Sequence, residues 1–143
     1  MQLAAAGGAA ALAVDGFWLE PDRPRVMRQE IAIRRWPPLL DGFTIALLSD
    51  FHYDAIFSVH PISAAIDTVN RLRPDLVALA GDFVSEPWFG PAARGARPAE
   101  PCAQLLRKLE APHGVWAIMG NHDASTDPRR VTGALRDWEF RYC

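Results

Sequence analysis

The sequence has only two cysteines, Cys102 and Cys143, far apart and outside any Cys-x-x-Cys spacing. That pattern excludes a zinc knuckle, a dithiol redox pair and a disulfide framework, so Cys102 reads as a small apolar helix residue. Strong charge of either sign is also absent: 15 basic and 17 acidic residues leave a formal net charge of −2. No basic surface for nucleic acid and no acidic solvating tail follow from that balance, and nucleic acid is not an expected partner. No apolar run reaches the ~18 residues needed to cross a bilayer. The nearest, Leu3 to Val14, is mostly Ala, Gly, Leu and Val and lacks a basic stretch before it, which makes it a poor secretory signal. Two readings stay open for it: the tail of a signal or membrane anchor, giving membrane association, or a loosely docked helix weakened by Gly7-Gly8. A membrane-associated and a cytoplasmic location are therefore both open. A Gly-x-Gly-x-x-Gly turn is missing after the first apolar strand, which argues against a Rossmann-type nucleotide binder.

What is present fits one domain. The chain has 143 residues, half of them apolar, within the usual range of about 100 to 150 for a single core. Asp15 to Pro24 is polar and carries Pro21 and Pro24, so residues 1–24 read as an apolar segment plus linker and residues 25–143 as the domain. Arg25 to Arg34 alternates unevenly and is expected to form an edge strand, with Val26, Ile31 and Ile33 inward, until Trp36-Pro37-Pro38 breaks it.

Phe43 to Ser49 is almost continuously apolar, as expected of a strand covered on both faces. Pro61 suits a first helical turn, and Ile62, Ala65, Ile66 and Val69 repeat at the spacing of one buried helix face, which Pro74 ends. Leu76 to Ala80 is a second apolar strand, so a parallel βαβ crossover is expected. Glu86 to Pro101 reads as a long irregular loop, with Trp88 and Phe89 more consistent with packing than with lining a cleft. A short helix carrying Cys102, Leu105, Leu106 and Leu109 follows. Then come a third strand, Val115 to Met119, and a helix begun by Asp127 and Pro128 with Val131, Leu135 and Trp138 inward. Glu139 to Cys143 resembles the start of another strand.

Each of the three apolar strands delivers a cluster of metal-ligand residue types at its carboxyl end. Asp50 and His52 follow the first; in an extended segment, residues two apart share a face and can reach one ion. Asp82 follows the second, after Gly81, whose bare backbone permits a sharp turn and a close approach. Its two oxygens can bridge cations ~3.5 to 4 Å apart. Gly120, Asn121, His122 and Asp123 follow the third, where Asn121 offers an amide oxygen, His122 an acid or charge-stabilising imidazole, and Asp123 a carboxylate to orient that ring. Taken singly, each cluster is ordinary turn chemistry. Together they lie on the sheet edge where α/β proteins place their sites. His60 and His113 do not join them, since one precedes a helix and the other precedes a strand at its far end.

Asp50-Phe-His52, Gly81-Asp82 and Gly120-Asn121-His122-Asp123, in this order after apolar strands, resemble the calcineurin-like metallophosphoesterase superfamily, and the wider pattern of an N-terminal apolar segment, a linker and then the first motif looks most like its membrane-associated bacterial branch. The resemblance covers about Phe43 to Asp123 and implies an α/β fold: a partial αββα sandwich represented by its N-terminal βαβαβα half. It implies two divalent ions (Mn, Fe, Zn or similar), with Asp50 and His52 on the first, Asp82 bridging and Asn121 on the second. His122 backed by Asp123 would assist at the phosphate. The implied reaction is hydrolysis of a phosphomonoester or phosphodiester by a metal-bridging hydroxide attacking in line. Superfamily members supply further histidines from a C-terminal half, including a Gly-His-x-His segment, for which this sequence has no counterpart. The alternative expectation is therefore a truncated, inactive fragment that acts only as a weak metal-binding or interaction module. A half sandwich would also leave apolar strand surface uncovered and be marginally stable or prone to associate.

Overall fold

The computed structural model describes residues 24–137 and 140–142. Leu3 to Val14, Trp138 and Cys143 lie outside the described residues. Four short strands, β1 (Ile45–Leu48), β2 (Leu76–Leu79), β3 (Val115–Ala117) and β4 (Arg141–Tyr142), form one sheet in sequence order. All three pairings are parallel, with Ile45 opposite Leu76, Val77 opposite Val115 and Trp116 opposite Arg141. The crossovers carry the helices α1 (Val59–Leu72), α2 (Ala99–Leu106), α3 (Asn121–Thr126) and α4 (Pro128–Asp137).

A sheet that grows in one direction through right-handed crossovers stacks its helices on one face. The burial pattern agrees. Val77, Leu79 and Ala117 face the helices and are buried against Ile62, Ile66 and Val69 of α1, Cys102, Ala103 and Leu106 of α2, and Val131, Ala134 and Leu135 of α4. On the opposite face of β1, Ile45 and Leu47 are 59% and 71% exposed. The expected two-sided cover of the first strand is thus corrected to one-sided cover among the described residues.

Local chemistry sets the boundaries. Arg73 closes α1 in the left-handed conformation (φ 50°), with its N–H on Val69 and Asn70 carbonyls, and Pro74 follows. Asp127 caps α4 by accepting the Arg130 N–H at 3.1 Å. Asn70 ties α1 to the segment after α2, donating to Lys108 O at 2.8 Å and accepting from Glu110 N at 3.0 Å.

Two expectations fail. Arg25 to Arg34 is coil, not an edge strand, and Val26, Ile31 and Ile33 are exposed. No neighbouring strand takes up its backbone groups in the described residues, and β propensity without a ladder is not enough. The 86–101 loop is also less irregular than expected. It holds a 3-10 turn at Ala92–Ala96, whose Gly95 and Ala96 are buried, and α2 already begins at Ala99. Proline and arginine obscured a turn that packing stabilises.

β1 is joined to the start of β2 by Asp75, which accepts the Thr44 N–H and the Thr44 hydroxyl, both at 2.7 Å. Those two bonds, the backbone one first, hold the Asp75 carboxyl below its ordinary value. A depressed folded-state value means the stabilisation is complete above the ordinary carboxyl pKa and is lost as pH falls through the folded one. Asp75→Asn should therefore lower the urea midpoint at neutral pH. The gap to wild type should shrink as pH drops below about 4; a gap constant over that range would contradict this role for Asp75.

Candidate metal centre

The segments beyond β1 and β2 stay paired. Asp50 N–H donates to Gly81 O at 3.2 Å, His52 N–H to Asp82 O at 2.8 Å, and Tyr53 N–H to Phe83 O at 3.0 Å. This pairing sets the first cluster directly alongside the second. The backbone here is not extended, contrary to expectation: Asp50, His52 and Asp82 have φ of 59°, 39° and 56°. Asp and His are among the non-glycine residues that best tolerate this left-handed region, at a cost of about 1–3 kcal/mol each. Despite the different conformation, Asp50 Oδ1 comes within 3.7 Å of His52 Nε2.

The third cluster is bound to the second through bare backbone. A Cβ on Gly81 (φ 90°) would collide with the backbone of Gly120, and one on Gly120 with the Asp82 carboxylate. No side chain fits between them. Asp123, fully buried, closes the arrangement: its carboxylate accepts N–H groups from Asp82 at 2.8 Å, Gly120 at 2.9 Å and Val84 at 3.1 Å. Asp82 Oδ1 in turn accepts the His122 N–H at 2.9 Å.

This lattice brings together one ligand atom from each of His52, Asp82 and His122, all within 4.8 Å of one another. The His52 and His122 rings lie 4.9 Å apart and nearly perpendicular. His122 Nδ1 is buried without a hydrogen-bond partner, and a buried polar atom left unpaired is costly. An imidazole–carboxylate–imidazole set with an unpaired nitrogen fits a borderline divalent ion such as Zn²⁺ or Mn²⁺.

The other expected site residues stand close by. Asp50 is exposed and borders the group through His52, and Asn121 is the first residue of α3, exposed and adjacent to His122. Asp123 has the three backbone partners described above, while the His122 ring nitrogen Nδ1 has none. His60 is exposed on α1, and the His113 ring packs 5.2 Å from Phe43 before β3. Ser85, which had no signal in the sequence, lies with its Oγ 3.0 Å from His52 Nδ1. Burial, then the charge of Asp123, pushes the Cys102 thiol up to about 12, so Cys102 offers no thiolate at neutral pH. Trp88 and Phe89 are 94% and 88% exposed rather than packed.

A model of the calcineurin-like phosphoesterase family matches residues 43–143. The chain belongs to the calcineurin-like phosphoesterases. Members of the family are metal-dependent phosphoester hydrolases that bind divalent ions. Among curated relatives, the chain is 34% identical over 106 residues to the uncharacterized metallophosphoesterase YkuE of Bacillus subtilis, covering 74% of this chain and 35% of that protein. It is 32% identical over 117 residues to a zebrafish (Danio rerio) transmembrane protein with metallophosphoesterase domain, covering 82% of this chain and 25% of that protein. It is 31% identical over 108 residues to the UDP-2,3-diacylglucosamine pyrophosphatase LpxG of Chlamydia trachomatis, covering 76% of this chain and 31% of that protein. The chain thus spans about a quarter to a third of the length of these relatives. No solved structure matches it significantly. Among the described residues, no helix is long and apolar enough to cross a membrane.

Asp123→Asn should loosen this site, because an amide offers one acceptor oxygen and turns an NH₂ toward a backbone donor. Losing charge-assisted bonds in a buried position costs about 2–4 kcal/mol. Urea unfolding with chelator present reads that loss free of any metal. An unchanged midpoint would show that Asp123 does not hold the loops.

Proposed function

We propose that this chain contributes the ligand set of a dinuclear metal site that hydrolyses a phosphomonoester or phosphodiester. In this reading Asp50 and His52 would hold the first ion, Asp82 would be shared, and Asn121 would hold the second. Such ions, when bound, supply Lewis acidity that activates water and neutralises phosphate charge. Asp82 suits the shared position because it sits between the Asp50–His52 segment and α3. The His122 imidazole, whose backbone is tied to Asp82, would meet the phosphoryl oxygens and hold or deliver the proton needed by the leaving group. Asp123 supports it by fixing the backbone on which it stands.

The observation that supports this reading is the convergence of His52, Asp82 and His122 at the carboxyl ends of adjacent parallel strands, which sets two proposed ligands and the phosphate-side imidazole within 4.8 Å of one another. Mononuclear binding without turnover, as a metal-binding or interaction module, is the second reading. The coverage of only about a quarter to a third of the relatives favours testing it.

Both are separated by assaying bis(p-nitrophenyl) phosphate and p-nitrophenyl phosphate with added Mn²⁺, alongside calorimetric Mn²⁺ binding. Hydrolysis that Asp82→Ala lowers on the order of a hundredfold or more, the scale for removing a transition-state stabiliser, supports the phosphoesterase. Mn²⁺ binding that Asp82→Ala abolishes, with no turnover of either ester, contradicts hydrolysis by this chain and leaves the binding module.

A further inference from the structure

Among the described residues, one side chain outside the convergent group is hydrogen-bonded to a ring nitrogen within it. Ser85 is that residue. Its hydroxyl lies 3.0 Å from His52 Nδ1, on the segment that leaves β2 through Asp82. An imidazole can bind an ion through one nitrogen only if its proton sits on the other, and a partner for that proton both selects the tautomer and stops the ring from rotating. With Nδ1 engaged by Ser85, the nitrogen left for an ion is Nε2, which also points to the Asp50 side at 3.7 Å.

The serine is itself held. Immediately before it, Val84 N–H is bound to Asp123 Oδ1 at 3.1 Å. Immediately after it, Glu86 Oε1 accepts the Ser125 hydroxyl of α3 at 2.5 Å. Its own carbonyl packs so closely on Gly95 that a Cβ there could not be accommodated. A hydroxyl on backbone pinned from three directions is a preorganised acceptor, whereas His52 stands on a strained left-handed residue (φ 39°) and is partly exposed.

We propose that Ser85 is a positioning residue for His52: its Oγ accepts the Nδ1–H of the imidazole and so directs Nε2 at the ion. The proposal rests on the metal-site reading above, but its first measurement does not. Among the four histidines, His52 would then be the one whose tautomer a neighbouring serine decides.

Long-range ¹H–¹⁵N correlation spectra of the metal-free protein, at a pH well above the ordinary histidine range, should show His52 with its proton on Nδ1. Ser85→Ala should show a mixture of both tautomers, and Ser85→Thr, which keeps the hydroxyl, should return the wild-type pattern. A wild-type proton on Nε2, or a pattern unchanged in Ser85→Ala, would overturn the proposal whatever the protein binds. Co²⁺ titration followed by visible absorption then tests the consequence. Ser85→Ala should bind about ten- to hundred-fold more weakly, with rescue in Ser85→Thr and an unchanged thermal midpoint without metal. Equal Co²⁺ affinity in wild type and Ser85→Ala contradicts the inference alone; a wild type that binds no Co²⁺ overturns the metal-site reading itself.

Discussion

Three backbone N–H groups, from Asp82, Val84 and Gly120, converge on one buried carboxylate, that of Asp123. Two of them come from the loop after β2 and one from the turn after β3, so a single side chain fastens together two segments that the parallel sheet merely places side by side. A carboxylate excluded from water is tolerable only where several donors satisfy it. Here those donors come from the segments that present Asp82 and His122. The placement of Asp82 and His122 therefore depends on a side chain whose own partners are backbone groups.

The strain in the site follows from the same constraint. Gly81 and Gly120 approach so closely that neither can carry a Cβ, and Asp50, His52 and Asp82 all adopt left-handed backbone. Unfavourable conformations of this kind persist where surrounding bonds over-determine them. The pairing of residues 50–53 with 81–83 and the Asp123 carboxylate supply those bonds. The strain thereby faces the sheet end where His52, Asp82 and His122 gather, while the apolar core of α1, α2 and α4 lies against the sheet face.

Much of this was legible in the sequence because burial and spacing report directly on it. Ile62, Ile66 and Val69 announced the buried face of α1, and the short apolar runs at residues 43–49, 76–80 and 115–119 announced parallel strands, which the structure trims by one to three residues. The clustering of Asp50, His52, Asp82 and Gly120 to Asp123 at one sheet edge followed from topology alone. What escaped depended on tertiary partners. Val26, Ile31 and Ile33 have strand-like character but no ladder to join, and Trp88 and Phe89 are apolar yet exposed. Ser85 is a common residue in an apparent loop, and only folding brings it to His52. The left-handed backbone at Asp50 and His52 was hidden as well, since two residues apart reads as extended until the cross-strand bonds are known.

The chain's family membership and its site geometry rest on different observations, a match across residues 43–143 and a convergence of three side chains. They meet in one claim: the strand ends form a metal centre built on Asp82. Anomalous diffraction at the manganese edge, from crystals grown with Mn²⁺, tests that claim most directly. The account predicts an anomalous peak within coordination distance of Asp82 and His52, beside the His122 ring. Diffraction showing no peak there, or manganese bound only at other carboxylates, would contradict it.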